Sequence, residues 1–348
     1  MITFDMNNQI LVLGYFGYES NKLDGQTVKT RNVYALLSQL GYKPTIFDTE
    51  DFRHGILSVW RMVKRVCSSD KIVYLPAHNN LKYIFPVIYL LAVIFRSKIH
   101  YFVVGGWLSE YLRNKPLHRF LLKRISGIHP ETNRLKAELE TEYGFDNVSL
   151  FPNFRLTDFI QSASTREDGK LRAVFMARIN KMKGLDMIDQ LCDNIVATGC
   201  QDKLTITFYG PIAPDDKSYF DGLVDAYSFV NYEGVLQPGH IHSTLQNYDV
   251  LLLPTRYYTE GIPGSLIDAY IAGIPVIATR WKHHAEIIDS KTGIVVPFSD
   301  GQEEFNDAVK LLIDDRDLLA EMKNCARAKG ESFTQHNASN ILRELIES

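Results

Sequence analysis

The sequence predicts an α/β protein made of two doubly wound domains. Three observations carry that prediction. Short apolar runs alternate with helical patterns in both halves of the 348 residues, the rhythm of parallel sheets covered by helices. The length suffices for two separate cores. The stretch Arg155 to Lys170, RLTDFIQSASTREDGK, turns polar between the two alternating halves and reads as a linker. The domains are accordingly expected at 1–165 and 166–334, with a terminal helix at about 335–348 packing back on the first.

In the first half, QILVLGYF (9–16) reads as a buried strand, followed by a Gly-containing polar loop. A helix is expected over Thr30 to Leu40, stopped by Gly41. PTIFD (44–48), KIVYLP (71–76) and KIHYFVVGG (98–106) supply further strands. In the second half the strands are LRAVFMARI (171–179), LTITFYG (204–210), FVNYEGV (229–235), DVLLLPT (249–255), PVIATR (275–280) and TGIVVP (292–297). SLIDAYIAG (265–273) is helical, and Asp307 to Ser348 is charged with a helical pattern. Two such domains set a cleft between two groups of strand C-termini, where open parallel sheets bind ligands. The fold alone does not select the chemistry.

Composition narrows the field. The formal net charge is −3, so nothing marks the whole chain as a nucleic-acid binder. Residues 1–150 hold 19 Lys and Arg against 13 Asp and Glu, whereas residues 151–348 hold 19 against 28. A basic first half suits a surface that meets phospholipid head groups or a phosphate-linked acceptor. Cys67, Cys192, Cys200 and Cys325 show no CxxC or metal-ligand spacing, consistent with a reducing, cytoplasmic compartment and no metal. The opening MITFDMNNQI lacks the basic and apolar regions of a signal peptide. The apolar run Tyr83 to Phe95, which contains Pro86, is too short to span a bilayer and is expected as a buried core helix.

The most specific segment runs from Pro254 to Pro297. Glu260 sits in a loop after a strand, Gly261, Ile262, Pro263, Gly264 and Ser265 follow, and Asp268 comes eight residues after Glu260 on a helix. The glycines admit a ligand close to the backbone. The helix N-terminus favours a phosphate or a hydroxyl-rich group. Asp268, about two turns on, reaches a different part of the same ligand. A second segment, ARINKMKGLDMI, puts Arg178 and Lys183 just after a strand. There a forked and a point cation suit diphosphate oxygens.

Together these segments resemble the GT-B retaining glycosyltransferases of family 4, the glycosyl transferases group 1. The resemblance covers nearly the whole chain and is sharp in the second half. It implies a GT-B architecture of two Rossmann-like domains facing a cleft. It also implies transfer from a nucleotide diphosphate sugar, UDP- or GDP-linked, without metal or other cofactor. By resemblance, Glu260 lies beside the reacting sugar carbon and Asp268 holds the ribose hydroxyls. Family members usually carry Glu at the second place, and Asp268→Glu is expected to be tolerated. Arg178 and Lys183 would stabilise the leaving diphosphate. The first-domain loop would contribute Gly25, Gln26 and Thr27 to the cleft, and Gly210 and Glu286 match weaker motif positions. Many relatives carry a His after the fourth strand, where this chain has Val104, Gly105 and Gly106. His78, His100, His129 and His240 are read as structural. The leaving phosphate would take the acceptor proton, without a separate protein base.

The implied acceptor is a glycan or polyprenyl-linked chain in a bacterial surface-polysaccharide pathway. The stretch Tyr111 to Ile125, YLRNKPLHRFLLKRI, holds five basic residues and no acid. It is expected as one amphipathic helix lying on an anionic membrane from the cytosolic side. Two alternatives stand beside transfer: a nucleotide-sugar epimerase on the same architecture, and a non-catalytic nucleotide-sugar-binding partner.

Overall fold

The computed structural model describes residues 9–20, 24–157, 169–257, 262–281, 284–299 and 301–347. The chain divides into two compact units, Met1–Leu156 with Gln335–Ser348, and Thr157–Thr334. Most of the expected linker, residues 158–168, lies outside the described residues.

In the first unit β1 (Ile10–Gly14), β2 (Thr45–Asp48), β3 (Lys71–Leu75), β4 (Lys98–Phe102) and β5 (Gly127–His129) form a parallel sheet. Its order is β2-β1-β3-β4-β5. Alternation along β1 sends Leu11 and Leu13 into one apolar layer and Ile10 and Val12 into the other. The helices are α1 (Gly25–Gln39), α2 (Ile56–Cys67), α3 (His78–Tyr83), α4 (Phe85–Phe95), α5 (Leu108–Leu112), α6 (Pro116–Leu122) and α7 (Asn133–Tyr143). α1 starts five residues earlier than expected because Asp24 and Thr27 form a reciprocal capping box there.

In the second unit the strands are β6 (Leu171–Met176), β7 (Leu204–Tyr209), β8 (Val230–Tyr232), β9 (Val250–Leu253), β10 (Val276–Thr279) and β11 (Gly293–Val296), all parallel. Their order is β11-β10-β9-β6-β7-β8. The connecting helices are α8 (Leu185–Ala197), α9 (Lys217–Ala226), α10 (Ile241–Leu245), α11 (Gly264–Ile271), α12 (His284–Ile287), α13 (Gln302–Asp314) and α14 (Arg316–Gly330). α15 (Gln335–Glu347) belongs to the first unit, where Ala338, Leu342 and Ile346 enter the apolar layer of Val12 and Leu36.

Several expectations change. The strand anticipated over 98–106 stops at Phe102, and Gly105, at φ +82°, turns the chain away. β5 has three residues, too few for a periodic signal. The run read as a buried core helix, residues 83–95, buries one side only. Phe85, Ile88 and Ala92 pack inward, while Val87, Leu90, Val93 and Ile94 face out. Tyr111 to Ile125 is not one helix. α5 ends at Leu112, and Lys115, with φ −132° and ψ 68°, separates it from α6. Leu121 and Leu122 are buried, leaving Leu117 and Phe120 as the outward apolar residues.

Burial in the first unit also fixes two histidines as neutral. His100 Nδ1 and His129 Nε2 lie 3.2 Å apart with the rings stacked. Desolvation pushes them down to about 4 and about 3 respectively. The unfolded chain takes up protons near pH 6.5, whereas the folded chain resists until well below 5, so stability falls as the pH drops through that window. For two such groups the limiting slope is about 2.7 kcal/mol per pH unit. Urea midpoints between pH 6.5 and 5 should follow it, and His100→Gln/His129→Gln should flatten it. An equally steep double variant would assign the slope elsewhere.

Candidate active site

The second sheet changes direction between β6 and β9. From β6 the chain moves outward through β7 and β8, then returns to start β9 on the other side of β6. The carboxyl ends of β6 and β9 are therefore the topological switch point, the usual ligand site of a doubly wound sheet.

After β6 the chain is shaped by close approaches. Ile179 N–H donates to Pro211 C=O at 3.0 Å, and Ala213 N–H donates to Ile179 C=O at 3.0 Å. Gly210 has φ +140°, and a Cβ there would meet Ala177 O at 1.9 Å, so no other residue fits. Arg178, between these contacts, is exposed. Asn180 caps a short 3-10 turn, its side chain accepting from Lys183 N–H at 2.9 Å. Gly184 then takes φ +86°, and a Cβ there would lie 2.2 Å from Pro254 O.

That approach seats the Lys183 turn against the loop after β9. Arg256 N–H donates to Met182 C=O at 2.8 Å. The Arg256 guanidinium reaches Lys181 C=O at 3.1 Å and pairs with the Asp186 carboxylate. The Lys183 ammonium sits 5.0 Å from the centre of the Tyr257 ring. From the opposite side Thr279 Oγ1 donates to Thr255 C=O at 2.8 Å, and Trp281 Nε1 donates to Tyr257 C=O at 2.7 Å. Pro254 to Tyr257 is thus gripped from both flanks. Glu260 and Gly261 lie outside the described residues.

The chain resumes with Ile262 and Pro263, both buried, and α11 starts at Gly264, with Gly264 and Ser265 half-buried at its N-terminus. Asp268, one turn on, is 3% exposed. Its Oδ1 lies 2.9 Å from Nε2 of His242 on α10. One of the two carboxylate oxygens is therefore already engaged by protein. His242 was not singled out in the sequence, nor were Arg256 and Tyr257. Each acts through a partner far away in the chain, which spacing does not reveal. Glu286 is exposed on α12.

In the first unit Gly25 is the exposed first residue of α1. The Gln26 side-chain amide donates to Leu75 C=O at 3.0 Å, bridging to the end of β3. Thr27 is fully buried and spends its hydroxyl on the Asp24 cap, which removes it from the set of ligand-facing residues. Beside the end of β4, next to Val103 and Gly105, the chain places a buried ion pair. Lys29 Nζ lies 2.7 Å from Glu131 Oε1 and 3.1 Å from Val103 O. Glu131 Oε2 accepts from Gly105 N–H at 3.3 Å. Burial holds Lys29 below the usual lysine range despite that partner.

Residues 157–329 match the family described as Glycosyl transferases group 1. The chain is 27% identical over 187 residues to the colanic acid biosynthesis glycosyltransferase WcaL of Salmonella typhimurium, covering 51% of this chain and 45% of that protein. It is 29% identical over 184 residues to the amylovoran biosynthesis glycosyltransferase AmsK of Erwinia amylovora, covering 51% and 44%. The match thus spans less than half the length of these curated relatives. Among solved structures, Anabaena HepE in complex with UDP and glucose superposes with a TM-score of 0.73 at 16% identity, over 98% of this chain and 100% of that one. Sucrose-phosphate synthase from Thermosynechococcus elongatus gives 0.74 at 13% identity, over 98% of both. At these identities the likeness establishes the fold, which is GT-B.

Proposed function

We propose that this chain, whose second unit belongs to the group 1 glycosyl transferases, is a retaining glycosyltransferase. It would move a sugar from a UDP- or GDP-linked donor to a glycan or lipid-linked acceptor in surface-polysaccharide synthesis, in peripheral contact with an anionic membrane. The observation that carries the reading is the joining of two loops at the β6/β9 switch point. Gly184 packs on Pro254 and Lys183 lies over Tyr257, so the turn bearing Lys183 is packed on the segment Pro254 to Tyr257, which precedes Glu260 in the chain. The relatives WcaL and AmsK are named for polysaccharide synthesis, and HepE was crystallised with UDP and glucose, which supports the donor class.

In this reading Arg178 and Lys183 neutralise the charge that grows on the diphosphate as the glycosidic bond breaks. The N-terminus of α11 offers backbone N–H groups from the Gly264 and Ser265 turn. Asp268 takes the ribose, and Glu260 flanks the reacting carbon. With two cations in place, charge neutralisation needs no divalent metal. Calorimetric titration with UDP, GDP and their sugars in excess chelator should show micromolar binding of one nucleotide series. Lys183→Ala should weaken it roughly 10- to 100-fold, the worth of one charged hydrogen bond. Transfer should persist in chelator with the anomeric configuration kept, as read by NMR. Failure of every nucleotide to bind, or an absolute need for Mg or Mn, would overturn the reading. A sugar epimerised with no acceptor present would replace it with the epimerase.

A further inference from the structure

We infer that the outer face of α2, α4 and α6 is a docking surface for an anionic lipid bilayer. The inference deepens the peripheral membrane contact of the proposed function by assigning its surface, and it rests on that reading. These three helices cover the same side of the first sheet. Met62 and Val66 of α2, Ile88 of α4 and Leu122 of α6 all enter one apolar layer. α4 packs between the other two.

What the helices turn outward is equally apolar. Leu57 and Trp60 of α2 are 72% and 64% exposed. Leu90 and Ile94 of α4 are 59% and 61% exposed, with Val87 and Val93 beside them. Leu117 and Phe120 of α6 continue the face. Scattered exposed leucines are ordinary, but a contiguous face over three helices is not, and it marks a contact surface.

Charge selects the occupant. α2, α4 and α6 contain no acidic residue. From Arg53 to Arg124 the chain holds thirteen Lys and Arg against two acids, Asp70 and Glu110. Several cations border the apolar face through aromatic rings. Lys64 Nζ lies 5.7 Å from the Trp60 ring, Lys82 Nζ 4.6 Å from the Tyr83 ring, and Arg124 3.6 Å from the Phe120 ring. Aromatic bodies with long cationic side chains beside them suit the level of lipid head groups, with aliphatic residues below. A second copy would bring the same cations against themselves across an isologous interface. Among the described residues no helix is long and apolar enough to cross a membrane. The face would therefore lie on the bilayer, with α4 flat in the interface.

Co-sedimentation of the full chain with phosphatidylcholine vesicles, with and without phosphatidylglycerol, tests this. The wild type should bind the anionic vesicles at low salt and lose binding as salt rises. Leu90→Glu/Ile94→Glu and Lys64→Glu/Arg65→Glu should each weaken binding at least roughly tenfold. Each variant should keep the wild-type affinity for UDP or GDP, which separates loss of docking from loss of the donor site. Equal binding to neutral vesicles, or unchanged binding by either variant, overturns the inference. So does a wild-type dimer, seen by light scattering, that Leu90→Glu/Ile94→Glu dissolves while vesicle binding is absent throughout. Vesicle binding without binding of any nucleotide would sink the transfer reaction and leave this surface standing.

Discussion

Gly184→Ala is expected to destabilise the second unit by about 2–5 kcal/mol and to remove most of its nucleotide affinity. Two costs add. A side chain at φ +86° sits in the left-handed region, at roughly 1–2 kcal/mol. The new Cβ would also lie 2.2 Å from Pro254 O, and relieving such an overlap costs about 1–3 kcal/mol more. The relief has a direction, since Pro254 is fixed by its neighbours Thr255 and Tyr257 through Thr279 and Trp281. The Lys183 turn must therefore move, taking its ammonium off the Tyr257 ring. Gly199→Ala is the control. It has φ +66° but open space around its Cβ, so it should carry the conformational cost alone and leave nucleotide binding intact. Urea midpoints and calorimetric titrations with UDP or GDP compare the two. A Gly184→Ala protein no less stable than Gly199→Ala would show that the turn is not seated as described.

The parallel strands were legible because β1 and β9 are continuous apolar runs buried on both faces, and β6 and β10 are nearly so, interrupted only by Arg172 and Thr279. β5 was not, since three residues carry no period, and its place is fixed by pairing with β4. The helix at 85–95 was legible as a helix but not in its burial. A helix apolar all round gives no sign of which side meets the sheet, or that the other side meets none. The single helix read over 111–125 failed because one amphipathic pattern runs through a break that the backbone makes at Lys115. In the site, Arg178, Lys183 and the segment ending in Asp268 were singled out by their motifs taken together and by the family resemblance, not by spacing alone, and the sheet order brings the ends of β6 and β9 side by side. Thr27 was assigned to the cleft by resemblance, which does not reveal that its hydroxyl closes the Asp24 capping box. His242 was invisible because its meaning lies in a contact 26 residues away.

That contact alters what the two acidic residues should show. Glu260→Gln is expected to lower kcat by about 10²–10³, the scale for losing one group that acts on the transition state, with the donor KM nearly unchanged. Asp268→Asn should do the reverse, raising KM with little effect on kcat, because a ribose contact is the same in ground and transition states. The opposite split would exchange the two roles. His242→Ala should resemble Asp268→Asn, weakening donor binding by roughly tenfold, as a buried carboxylate that loses a partner costs about 1–3 kcal/mol. The double variant should cost less than the sum, since each change removes the same pair. Additive losses would mean that His242 does not work through Asp268. The structure also revises the expected tolerance of Asp268→Glu. Asp268 is buried and His242 closes on its carboxylate at 2.9 Å, so His242 fills the space a longer side chain would need. Asp268→Glu alone should weaken donor binding, and His242→Ala/Asp268→Glu should recover part of that loss by making room for the added methylene. Recovery would identify His242 as the residue that lets a short acid serve here, whereas a double variant worse than either single change would show that the histidine is needed for its hydrogen bond and not for its volume.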